Sequence, residues 1–180
     1  MPWGISHKNQ WIFVHIPKTA GVSICSSWDG ALLKEHCKKN GVLGGGHKTI
    51  WEIWDKYPET KSYFIWTVTR NPFDRFVSAW FFPKEGTQPN RDPESSDFST
   101  SLLKPQTEWV NFDKTFFVRF ENLKIDLSCL FLRLGLGNID KIPHFRQSNR
   151  GHYKDYISEK LRAIIEDHYR NDFNLLGYAW

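Results

Sequence analysis

Residues 11–23 read WIFVHIPKTAGVS. Apart from His15, the stretch from Trp11 to Ile16 is apolar on both faces of an extended strand. A strand that hides both faces sits inside a sheet covered by helices on both sides, the setting of parallel strands. Pro17 ends the run, and Lys18, Thr19, Ala20, Gly21, Val22 and Ser23 follow. Val22, Cys25, Trp28 and Leu32 then recur at helical spacing, which predicts a helix from about Val22 to about Lys38. Strand, cationic small-residue turn, helix: this order has the makings of an anion cradle. The first N–H groups of a helix are unpaired and carry the positive end of its dipole. Ala20 and Gly21 let the backbone come close to a ligand, Thr19 and Ser23 add hydroxyls, and Lys18 adds a full charge. An ordinary strand-to-helix turn with a snorkelling lysine fits the same letters. A nucleotide-hydrolysing P-loop does not, because GxxxxGK[ST] places its lysine after the glycines and Lys18 comes before Gly21.

The same alternation continues outward. Tyr63 to Thr69 (YFIWTVT) reads as a second buried strand and Thr115 to Phe120 (TFFVRF) as a third. Between them Asn71 and Pro72 open a helix as N-cap and first residue. Its apolar stripe is Phe73, Phe76, Val77, Trp80 and Phe81. Asn71, Asp74, Arg75 and Ser78 share the other face, so Arg70 and Ser78 are expected to look into the crevice at the strand ends. Asp74 is expected to orient an arginine. Ile125 to Leu134 is a predicted helix stopped by Gly135, and Ile157, Leu161, Ile164, Ile165 and Tyr169 mark a last amphipathic one. Residues 40–46 (NGVLGGG) read as a glycine-rich break, and HKTIWEIWDKY after them as one or two helical turns. Residues 83–108, with four prolines and little periodicity, read as a long functional or mobile loop. Strands alternating with helices predict an α/β fold, a central mostly parallel sheet flanked by helices, in one domain over residues 1–180. Ligands of such sheets bind beyond the carboxyl ends of the strands, where both polar turns lie.

A length of 180 residues suits one sizeable core, and a net charge of +4 fits a small anionic ligand. No basic-aromatic platform speaks for nucleic acid. No run approaches the roughly 18 apolar residues of a membrane span, and the first ten residues lack a signal-peptide core. The first strand begins near residue 11, which favours a compact cytoplasmic enzyme. The three cysteines, Cys25, Cys37 and Cys129, contain no CxxC pair, so neither a disulfide framework nor a zinc site is indicated.

Two separate anion grips imply a ligand with two anionic ends. FVHIPKTAGVS resembles the 5′-phosphosulfate loop of carbohydrate-type sulfotransferases. TRNPFDRFVSAW resembles their 3′-phosphate motif, in which an Arg and a Ser eight residues later hold that phosphate: here Arg70 and Ser78. VRFENL and the closing YRNDFNLLGY are also similar to the family, so the resemblance covers most of the chain. It implies a P-loop-like sulfotransferase fold, 3′-phosphoadenosine 5′-phosphosulfate (PAPS) as sulfuryl donor, no metal, and a hydroxylated acceptor, a carbohydrate or another metabolite. Residues 18–23 would hold the donor, with Lys18 on the oxygen bridging sulfur and phosphorus. Val22 stands where the family often has Thr, which removes one hydroxyl.

GGGHKTIWEI resembles the stretch that supplies the catalytic histidine of uronosyl 2-O-sulfotransferases, which makes His47 the candidate base; an exposed loop histidine is the plain alternative. His15, inside an apolar strand, reads as a core or supporting residue. HFRQSNRGHYKDY resembles the late loop that folds over the donor, with Arg146, Ser148, Arg150 and Gly151 as candidate contacts; a basic lid that merely caps the sheet fits as well. The 83–108 loop is the expected acceptor-recognition element. The chain is short for the family, so the acceptor site is expected to be open or completed by a partner subunit in an oligomer. Two rival readings are a PAPS-binding module that no longer catalyses and a magnesium- and ATP-dependent small-molecule kinase. The second lacks its Walker pattern.

Overall fold

A computed structural model describes residues 3–26, 37, 41–81, 93–136 and 150–180. Among these residues five strands form one sheet: β1 (Trp3–Ser6), β2 (Trp11–Val14), β3 (Gly41–Gly44), β4 (Phe64–Thr69) and β5 (Thr115–Arg119). Their spatial order is β3-β1-β2-β4-β5. β2 pairs parallel with β4 and β4 with β5, while β1 pairs antiparallel with both β2 and β3. β1 thus runs against the other four, and the α/β sheet is mostly but not fully parallel.

Six helices surround it: α1 (Gly21–Ser26), α2 (Ile50–Lys56), α3 (Pro72–Trp80), α4 (Leu123–Arg133), α5 (Glu159–His168) and α6 (Arg170–Leu176), among the described residues. Period-two alternation sorts the strand side chains between two layers. Trp11, Phe13, Trp66 and Val68 face Ile24 of α1 and Leu127, Leu130 and Phe131 of α4. Ile12, Val14 and Ile65 face Ile50 and Ile53 of α2 together with Trp109. Both faces of β2 are therefore buried, as its unbroken apolar run requires. A third cluster joins α3 to α5 through Phe73, Phe76, Val77, Leu161, Ile165 and Tyr169.

Several expectations need correction. The glycine-rich 40–46 stretch contains strand β3. Its Gly44 is flush against the Trp3 indole, where a Cβ would lie 2.1 Å from ring carbons, so glycine here serves close approach and not a break. β1 went unforeseen because WGIS is too short to display a period. On the face of α3 shared by Asn71, Asp74, Arg75 and Ser78, Asn71 and Asp74 are half-buried, but Arg75 is 0% exposed and Ser78 is buried. The last amphipathic helix does not end the fold, since α6 follows directly after Tyr169. Of the helix expected over 22–38, α1 is described to Ser26; much of the remainder lies outside the described residues.

The largest correction concerns the 83–108 loop. Residues 82–92 lie outside the described part, but 93–110 is no free loop. Leu103, Gln106, Trp109 and Val110 are buried, and the segment is strapped across the carboxyl end of the sheet. Asp172 of α6, 0% exposed, holds the strap. Its Oδ2 accepts from the Gln106 backbone N–H at 2.8 Å and from Gln106 Nε2 at 3.3 Å; its Oδ1 accepts from the Thr107 N–H and hydroxyl, both at 2.9 Å. Removing one buried acceptor orphans several donors, each costing about 1–3 kcal/mol. Asp172→Ala is therefore expected to lower unfolding free energy by about 3 kcal/mol or more, read from urea unfolding; a loss under about 1 kcal/mol would show that the strap is held by packing alone.

Candidate active site

The carboxyl end of β2 is where Lys18, Arg70 and His47 come together. From Val14 to Lys18, five consecutive backbone carbonyls each accept a hydrogen bond from a side chain. Thr67 Oγ1 of β4 donates to Val14 O at 2.7 Å, and Thr19 Oγ1 donates to Ile16 O at 3.0 Å. His47 Nδ1 lies 3.0 Å from His15 O. Arg75 Nε donates to Pro17 O at 3.0 Å, and Arg70 Nη1 to Lys18 O at 3.2 Å. The turn that follows alternates in the sign of φ. Lys18 and Ala20 are left-handed at +68° and +69°, while Thr19 and Gly21 are not. Left-handed conformations at residues that carry a Cβ cost on the order of 1–3 kcal/mol and concentrate at functional sites. Such alternation is the backbone pattern that gathers N–H groups into an anion-binding concavity.

Of the cradle residues, Thr19 and Ser23 are buried and Lys18 is half-buried. The Thr19 hydroxyl, expected as a ligand donor, closes the turn on Ile16. Val22 lies in α1. Gly21 has a use the sequence did not reveal: a Cβ on it would fall 2.0 Å from the His15 imidazole. The His15 ring occupies the space that any larger residue at 21 needs.

The second turn touches the first. Arg70 leaves β4 with its backbone N–H and C=O both bonded to the Gln106 amide, at 2.9 and 2.8 Å. Its guanidinium lies over the Phe120 ring at 3.9 Å, donates to Asp74 at 2.7 Å and reaches the Lys18 carbonyl. Asp74 also pairs with Arg150, so one carboxylate bridges two arginines. Burial alone would raise the Asp74 pKa, but Arg70 and Arg150 outweigh it and hold the carboxyl below its usual range. Ser78 lies about one turn beyond Asp74 on α3 and is buried. Gly151 donates its N–H to Tyr156 at 2.8 Å. Arg146 and Ser148 lie outside the described residues.

His47 precedes α2, whose start is fixed by a capping box. Thr49 Oγ1 accepts from Glu52 N, and Thr49 N donates to Glu52. The T-x-x-E spacing in TIWE carries that signal in the sequence. The Ile50 N–H donates to Trp109 O at 2.8 Å, so the strap also sets this loop, and the His47 ring stands 6.0 Å from that of Trp109. A carbonyl oxygen can only accept; Nδ1 of neutral His47 therefore carries the proton and Nε2 is the bare nitrogen. His47 is an exposed residue, as the plain alternative had it, but desolvation of its ring pushes its pKa below its ordinary value, opposed by the bond to the His15 carbonyl. The His15 ring, 2% exposed and 4.6 Å from that of His47, is pushed down further by burial and then by His47. Both rings are neutral at pH 7.

The supporting residues that sequence reasoning missed are Gln106 and Asp172. They carry no local signal, because their partners lie 36 and 66 residues away in the chain. Among the described residues no group of three or more His, Cys, Asp or Glu side chains could hold a metal, and no helix is long and apolar enough to cross a membrane.

The profile of the sulfotransferase family matches residues 4–179. The chain belongs to the sulfotransferase family. That match spans the sheet, the cradle, the second turn and α6, and membership makes the protein a transferase. Comparison with curated proteins and with solved structures returns no match.

Both histidines favour the neutral form in the folded state, so the unfolded chain binds more protons as pH falls through about 6.5. Folding stability is therefore present above that pH and is lost below it. The urea midpoint of this sulfotransferase should drop between pH 7.5 and pH 5.5, and His15→Gln should flatten the dependence. A midpoint that does not move would mean that the pair keeps its ordinary affinity for protons.

Proposed function

We propose that the chain transfers a sulfuryl group from PAPS to an acceptor hydroxyl. The observation that carries this reading is the meeting of three parts at one strand end. A left-handed, lysine-bearing turn follows β2; the cationic turn after β4 touches it through Arg70 and the Lys18 carbonyl; and His47, neutral with Nε2 bare, is bonded to the carbonyl of His15. PAPS supplies the activated sulfuryl group, and it is anionic at both ends, which suits two adjacent cationic turns. Residues 18–23 would hold the 5′ phosphosulfate, and Arg70 and Ser78 the 3′-phosphate. Arg150 and Gly151, with Arg146 and Ser148, are assigned to the nucleotide by family resemblance.

In the transfer, the bond between sulfur and the bridging phosphate oxygen breaks and a bond from sulfur to the acceptor oxygen forms. His47 Nε2 takes the acceptor proton, and Lys18 stabilises the negative charge left on the phosphate side. The protein otherwise acts by holding the partners in line. The acceptor we favour is a carbohydrate or another hydroxylated metabolite.

Thermal unfolding with 3′-phosphoadenosine 5′-phosphate tests the reading. At about 100 times its dissociation constant the ligand should stabilise by about 2.7 kcal/mol without metal, and AMP should not. Arg70→Ala should abolish the preference. His47→Ala should keep that stabilisation and lose roughly 10²–10⁴-fold in turnover with a competent acceptor. Stabilisation by ATP with magnesium alone would overturn the assignment in favour of a kinase. Binding without any transfer, and unchanged by His47→Ala, would make the chain a donor-binding module.

A further inference from the structure

Arg75 is costly to keep where it is. Its side chain is fully buried, and burial pushes its pKa down, with Tyr169 and Asp172 opposing. Its Nε and Nη2 donate to backbone carbonyls, Nε to Pro17 and Nη2 to Leu102 and Lys104, each at 3.0 Å, with the Tyr169 side chain beside the guanidinium. Nη1 has no partner among the described residues. An apolar residue of similar volume is usually as stabilising in such a place, or more so. The arrangement therefore points to geometry more than to stability.

That geometry follows from the peptide group. In a trans peptide the C=O of one residue and the N–H of the next point in opposite directions, and the protein has no cis peptide among its described residues. Arg75 draws the Pro17 carbonyl toward α3, so the Lys18 N–H points away from α3. Arg70, just past the end of β4, draws the Lys18 carbonyl toward its own guanidinium, so the Thr19 N–H points away from Arg70. Between these two peptides lies Lys18, held left-handed at +68°.

We infer that Arg75 is a positioning residue for the anion cradle: from behind, without touching the ligand, it turns the Lys18 N–H toward the bound oxyanion, next to the Thr19 N–H that Arg70 sets. This rests on reading residues 17–23 as an anion cradle. It also couples the cradle to the strap, because Nη2 of the same guanidinium holds residues 102 and 104. Lys18 itself stays the charge that meets the reacting group; Arg75 sets the backbone that carries it.

The test uses the whole chain, inorganic sulfate and 3′-phosphoadenosine 5′-phosphate, with amide NMR and calorimetry. In the wild type, sulfate should shift the Lys18 and Thr19 amide signals among the most. If those two signals stay still while sulfate binds, the inference is overturned, whatever the variants do. Arg75→Lys keeps the charge but cannot span Pro17 and the strap together; Arg75→Met removes all the bonds. In whichever variant stays folded by circular dichroism, affinity for sulfate should fall at least about tenfold, with the Lys18 and Thr19 amides displaced before ligand is added. A purely structural arginine would lower the unfolding midpoint and leave both quantities unchanged in the folded fraction, which would also overturn the inference. Wild-type binding of sulfate without binding of the bisphosphate would sink the PAPS reading and leave the role of Arg75 to be decided on sulfate alone.

Discussion

A strand that leaves the middle of a sheet carries its carbonyl groups out of reach of the neighbouring ladders, and each one left buried and unpaired costs about 1–3 kcal/mol. The exit of β2 meets this constraint five times in succession, at Val14, His15, Ile16, Pro17 and Lys18. Every solution is a side chain, and the five come from four parts of the chain: β4 and the residue after it, the loop before α2, the turn itself and α3. Satisfying the backbone and assembling the site are consequently one event. The residues that bond to these carbonyls include the candidate base and both arginines of the second turn.

The strap at residues 102–110 keeps those side chains where they are. It meets Arg75 with its Leu102 and Lys104 carbonyls, Arg70 with the Gln106 amide and the start of α2 with the Trp109 carbonyl. Tyr169 draws the Leu103 carbonyl inward at 2.7 Å, and burial pushes the pKa of that phenol up to about 12, so it stays a donor. Asp172 then closes the strap onto α6. The family-like YRNDFNLLGY segment, about 150 residues on in the sequence, thereby bears on the geometry of the turn after β2.

The sequence shows best what is local. PKTAGVS and RNPFDRFVS are readable because a turn, a cap and an i, i+4 spacing lie within a few residues, and the buried runs of β2 and β4 announce themselves by composition. His47 could be singled out by its glycine flank. Periodicity could not foretell the burial of Arg75, which answers to three backbone carbonyls from two distant segments. It was silent on Gln106 and Asp172, whose meaning lies in partners dozens of residues away. It misjudged β3 because glycine ordinarily disrupts strands, whereas Gly44 gives room to the Trp3 ring.

Consider finally when the cradle can exist. Residues 15–19 are made early in synthesis, but the groups that shape them arrive at positions 47, 67, 70 and 75, and those are fixed only by 102–110 and by Tyr169 and Asp172. Contacts this distant in sequence pay their loop-closure entropy late in folding. Until the last quarter of the chain has docked, the turn after β2 has no reason to adopt its left-handed residues. A half-folded chain would thus carry the letters of the turn without its shape, and the geometry of that turn is a measure of the completed fold.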